Sequence, residues 1–189
     1  MIFSVFIITW CVGTLTFAPV YLVNVKGFTP TEMSYIMAVL GIGAVVWGMV
    51  IPGLSDRFGR KPMLIIFSLL SVFSSFGFLL ASSFASISVL AFIGWCGSGV
   101  FGIYQAAISG ESVDVKYFST AVAVIIMIGE VFGAFIGMTL AGAMADLYGL
   151  YAALIFSGCC AVVAGLVAFA YYETAPLALA RRNMRKEEG

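Results

Sequence analysis

Glu130 is the side chain that asks most of its surroundings. It interrupts the apolar run 119–143 close to its middle. An ionised acid at such a depth in a bilayer costs several kcal/mol unless it is protonated, hydrated or paired. A carboxyl group under that constraint suits proton coupling or substrate binding. The plainer alternative is a protonated acid hydrogen-bonded to a neighbouring helix. Glu32, Glu111, Asp114, Asp146 and Glu173 fall at the ends of apolar runs or between them, where water reaches them. A second chemical constellation is Gly53-Leu54-Ser55-Asp56-Arg57-Phe58-Gly59-Arg60-Lys61-Pro62, a charged loop between two apolar runs. Asp56 follows a helix end, where its own helix dipole gives an acid little support. It therefore calls for the N-terminus of another helix or the adjacent arginines as partner. Gly53 and Gly59 allow tight turning and close approach. A third set is aromatic and polar: Trp10, Tyr21, Trp47, Trp95, Tyr104 and Gln105. Trp10, Trp47, Tyr104 and Gln105 are the cavity candidates, with helix packing as the competing role. Gln105 beside Tyr104 is the most cavity-like pair, since an amide in an apolar span wants a partner.

The elements that must position these groups are membrane helices. The chain has 189 residues, of which 62% are hydrophobic and 10% charged, against roughly 25% charged in a soluble domain. Its mean hydropathy of +1.13 points the same way. Net charge is zero, which offers nucleic acid nothing to bind. There is no His, and Cys11, Cys96, Cys159 and Cys160 lie inside apolar runs without CxxC spacing. Zinc sites and Ser–His or Cys–His chemistry are accordingly not expected. With no nucleophile–base pair and no cofactor loop in view, the expectation is a non-enzyme without metal or cofactor.

A membrane helix needs about 20 mostly apolar residues. Six such runs occur, at about 2–23, 33–53, 63–83, 86–109, 119–143 and 150–172, followed by a polar tail at 176–189. Thr29-Pro30-Thr31-Glu32 reads as a capping box with Pro in the first turn, and Pro62 sits where a helix can start. Pro19 could seed a bend in the first run. Gly129, Gly133 and Gly137 recur every four residues and predict a face where another helix comes close. Static packing and sliding during a transport cycle both fit that face. Met1 leads into apolar residues without a basic flank, a poor match to a signal peptide. The chain reads as cut from a longer one.

Six spans put both ends on one side. The loops and tail of that side hold Arg57, Arg60, Lys61, Lys116, Arg181, Arg182, Arg185 and Lys186, and the opposite loops hold Lys26. Basic residues concentrate on the cytoplasmic face, so both ends of this unit are expected there, in a cell membrane such as the bacterial inner membrane. Membrane lipid is one partner, and the basic tail could touch anionic headgroups.

Gly53, Leu54, Asp56, Arg57, Gly59, Arg60 and Lys61 resemble the G-x-L-x-D-R-x-G-R-[KR] signature of the major facilitator superfamily. Tyr172-Glu173-Thr174-Ala175-Pro176 and the stretch Gly142–Gly149 are similar to metabolite–proton symporters of that family. The resemblance implies an all-α membrane fold, here a six-helix half made of two three-helix inverted repeats. It further implies the C-terminal half, with an N-terminal six-helix half missing, and a 53–62 loop that latches the cytoplasmic face. The implied function is proton symport of a small solute, such as an organic acid, by alternating access. Two other readings stay open. The glycine row resembles proton-coupled efflux antiporters, and a non-transporting membrane subunit is the third possibility. No Lys or Arg lies within the six runs, so the counter-charge for an anion must come from the other half or from helix N-termini.

Overall fold

The structure, a computed structural model, describes residues 1–173. The tail expected at 176–189 lies outside the described residues. Among the described residues, six helices are long and apolar enough to cross a membrane: α1 (Ile2–Asn24), α2 (Pro30–Phe58), α3 (Arg60–Leu80), α4 (Phe84–Ser112), α5 (Val115–Tyr148) and α6 (Leu150–Ala168). A chain this apolar has little choice. In lipid every backbone amide needs an internal partner, and a helix provides one within its own segment.

Several helices overrun the apolar limits read from the sequence. The run at 33–53 belongs to a helix that starts at Pro30 and continues to Phe58, and the run at 119–143 to one spanning Val115–Tyr148. Hydropathy marks the length that suits lipid, whereas backbone hydrogen bonding continues into the polar margin. The residues read as a loop at 53–62 are thus the last turns of α2, one glycine and the first turn of α3. Gly59 makes the reversal alone, at φ 109 and ψ 151, a backbone region essentially reserved for glycine.

The helix ends follow local chemistry. The Thr29 amide donates to Glu32 Oε2 at 2.9 Å, and the Glu32 amide donates to Thr29 Oγ1 at 3.3 Å, closing a capping box before α2. At the same end of the bundle, Lys26 Nζ donates to the carbonyls of Leu79 and Ala81 at 2.9 and 2.7 Å. Its charge stabilises the C-terminus of α3.

The helix pairing has an internal two-fold pattern. α1 packs on α5 and α6, α4 packs on α2 and α3, and α3 packs on α6. Exchanging the first three helices for the last three reproduces this pattern. Because each set has an odd number of spans, the second begins on the opposite side of the membrane, which is the inverted repeat.

Without a hydrophobic drive between helices in lipid, close contact depends on small residues. α4 meets α3 where a Cβ on Gly94 would stand 2.0 Å from the Ser74 backbone nitrogen. Both helices change character there. α3 is interrupted at Ser71, and α4 tightens to a 3-10 turn over Trp95–Gly99 and widens to a π-helix over Gly102–Ala107. The interior is a continuous cluster that includes Phe3, Ile7, Trp10, Leu22, Leu64, Trp95 and Leu154.

Candidate functional site

Two polar groups stand out in this apolar bundle. The first draws on α1, α4 and α5. Glu130 is exposed on the surface of this unit, within electrostatic range of Cys11 on α1 and of Tyr104 on α4. Tyr104 is 2% exposed, and its ring meets Phe3 and Phe101 edge-on or tilted at 5.2 and 5.6 Å. Gln105 Nε2 donates to the Tyr104 hydroxyl at 3.0 Å. Tyr104 and Tyr171 also border a largely apolar cleft with Ser109, Tyr117 and Thr120. Its volume of 590 Å³ suits a small molecule.

Both polar positions are in π-helix. Tyr104 and Gln105 fall in Gly102–Ala107, and Glu130 in Gly129–Ile136. A π turn displaces the regular hydrogen-bond ladder and often marks a functional position. In α5 the Gly137 amide donates to the carbonyls of Phe132 and Ala134. The Gly133 carbonyl accepts from the Thr9 hydroxyl of α1 at 3.0 Å. The glycine row faces α1: added Cβ atoms at Gly129, Gly133 and Gly137 would stand 2.4, 2.5 and 2.6 Å from Ile8, Val5 and Thr9.

Two of the cavity candidates go elsewhere. Trp10 is 0% exposed and packs on Trp95 with ring centroids 5.2 Å apart. Trp47 donates its indole N–H to the Phe92 carbonyl at 2.8 Å. Among the described residues, no hydrogen bond or ring contact joins either tryptophan to Glu130 or Gln105.

The second polar group closes the basic end of the bundle. Arg60 is 7% exposed although it carries a full charge. Its guanidinium pairs with Asp56 and donates to Glu111 Oε1 at 2.9 Å and to Ser55 Oγ at 2.6 Å. A buried charge is tolerable when it is paired and hydrogen-bonded in this way. The Glu173 carboxylate takes the Arg60 and Lys61 amides at 2.8 and 3.2 Å. It therefore caps α3 at the end where the helix dipole favours an anion.

The Asp56, Gly59, Arg60 and Lys61 positions of the signature thus meet at one place. Gly53 and Arg57 are exposed on the last turns of α2, and a Cβ on Gly53 would meet nothing within 4 Å. Glu111, Glu173 and Ser55 complete the cluster, and Cys11 and Thr9 complete the mid-bundle group. Nothing in the sequence pairs any of the five with its partner. Their common signal is a polar residue at or within an apolar span, which names no partner.

A six-helix bundle with polar residues held at helix irregularities is the architecture of a multi-pass membrane protein. The Major Facilitator Superfamily profile matches residues 1–188, and the chain belongs to that superfamily. It is also similar to organic anion transporter 3 of Sus scrofa, at 38% identity over 78 residues. That stretch is 41% of this chain and 13% of the length of that protein.

Proposed function

We propose that this chain is the C-terminal half of a secondary transporter that moves a small organic anion together with a proton. Family membership supports transport, and similarity to an organic anion transporter supports an anion as solute. The observation that carries the coupling is the position of Glu130, in a π segment of an apolar span and within range of Cys11 and Tyr104.

In this reading a missing N-terminal six-helix half covers the exposed face of Glu130, and solute binds between the halves. Protonation of Glu130 removes the cost of carrying a charge across the membrane interior. Tyr104 and Gln105 supply neutral hydrogen-bonding groups to the solute. The Arg60 cluster lies on the cytoplasmic side and latches that face when the transporter opens outward. Rocking of the halves then exposes the site to alternate sides.

The test uses the full-length protein in proteoliposomes, a panel of radiolabelled monocarboxylates and aromatic carboxylates, and a pH-sensitive dye in the lumen. Solute entry that carries protons inward supports symport. Proton exit during solute entry would make the protein an antiporter, the alternative suggested by the glycine row. Absence of flux for every solute would favour a non-transporting membrane subunit.

A further inference from the structure

The hydroxyl of Thr9 serves two carbonyls with one proton. It lies 2.8 Å from the Val5 carbonyl in its own helix and 3.0 Å from the Gly133 carbonyl in α5. Thr9 is 3% exposed, and its hydrogen bond to Gly133 is buried. A hydroxyl donates one hydrogen, and the two acceptors compete for it.

The competition matters because of where Gly133 stands. The Gly137 amide donates to Phe132, five residues back, and to Ala134, three residues back. In a regular α-helix it would donate to Gly133, four residues back. The Thr9 hydroxyl occupies the carbonyl that this register skips. If α5 returned to α register, Gly137 would donate to Gly133 and Thr9 would fall back on Val5. Both arrangements keep these groups hydrogen-bonded, as the membrane interior demands.

We infer that Thr9 is a positioning residue for Glu130: its hydrogen bond to Gly133 holds α5 in the π register that sets the direction in which Glu130 points. Glu130 lies at the N-terminal end of the π segment, whereas Gly133 and Gly137 lie within and just beyond it. Exchanging the π turn for an α turn moves the helix by one residue, a rotation of about 100°. Glu130 would swing by that amount relative to the half of α5 that follows. The close α1–α5 contact at Gly133 keeps Thr9 within reach. The functional weight of this device rests on the reading of Glu130 as the coupling site, but the geometric claim does not.

The test reads orientation instead of flux. The full-length protein, in a background without other cysteines, carries Glu130→Cys with a nitroxide label and is reconstituted in phosphatidylcholine vesicles. Electron paramagnetic resonance then compares collision with oxygen, which favours lipid, and with a water-soluble nickel complex. Thr9→Val keeps the shape and removes the hydroxyl, whereas Thr9→Ser keeps the hydroxyl. The expected result is a several-fold change of the oxygen-to-nickel ratio in Thr9→Val, with the original ratio in Thr9→Ser. A label at Leu140, beyond the segment, should keep its ratio in both. Thr9→Ala is carried alongside and serves the same comparison should Thr9→Val fail to insert. An unchanged ratio at position 130 overturns the proposal, and so does an equal change at position 140, which would mean general loosening of α5. Failure of the proton reading shows separately, as wild-type coupling in Glu130→Gln.

Discussion

Arg60 and Glu111 are 51 positions apart in the chain, and their side chains meet at 2.9 Å. This pair joins the α2–α3 junction to the end of α4, and Glu173 adds the segment that follows α6 to the same point. Three polar margins of the bundle are tied by one arginine and the helix it begins.

Glu111→Gln should therefore weaken the bundle. A hydrogen bond to a charged group contributes about 1.5–3 kcal/mol, and Asp56 remains to hold part of the Arg60 charge. The expected loss is about 1–3 kcal/mol, read as a lower unfolding temperature in detergent. An unchanged temperature would mean that the pair adds nothing.

Gly59→Ala should be worse than an ordinary surface change. The new Cβ needs a backbone region that costs of order 1–3 kcal/mol outside glycine. It would also stand 2.4 Å from Glu173 Oε2. Glu173→Ala removes that second conflict, so the double variant should lose less stability than the two single losses added together. Strict additivity in thermal unfolding would remove the clash from the explanation.

The basic end is predicted to face the cytoplasm. Single cysteines placed at Gly27 and at Lys116 should react oppositely with a membrane-impermeant thiol reagent on intact cells. Position 27 should label at once, and position 116 only after permeabilisation. The reverse pattern would invert the topology and the latch with it.

Asp56→Asn and Arg60→Ala test the latch itself. Both should slow exchange of solute across the vesicle membrane while leaving insertion and topology intact. Wild-type exchange rates in both variants would take the cluster out of the transport cycle.

Much of this architecture was legible in the sequence. Apolar runs of membrane length announce helices because lipid leaves the backbone no other economical choice. The G-x-L-x-D-R-x-G-R-K stretch announced a turn between two of them. The partners of Arg60 were not legible. Glu111 and Glu173 each look like an acid at the watery end of a span, and only the packing of α3 against α4 and α6 brings them to Arg60. The π segments were equally silent. Gly129, Gly133 and Gly137 would follow the same spacing in an α-helix, and their register depends on the partner that α1 offers. Trp10 shows the same limit, since a tryptophan in a span serves a cavity wall or a core equally well until its neighbours are known. Here that neighbour is Trp95.

The most direct test of the account is gradient-driven uptake by Glu130→Gln in proteoliposomes of the full-length protein, using a solute that the wild type accumulates. Glutamine preserves shape and hydrogen bonding and removes the exchangeable acid proton. The expected result is that accumulation driven by an inside-alkaline gradient is lost while the protein still inserts and still binds solute. Accumulation at the wild-type level, with the same dependence on the gradient, would contradict it.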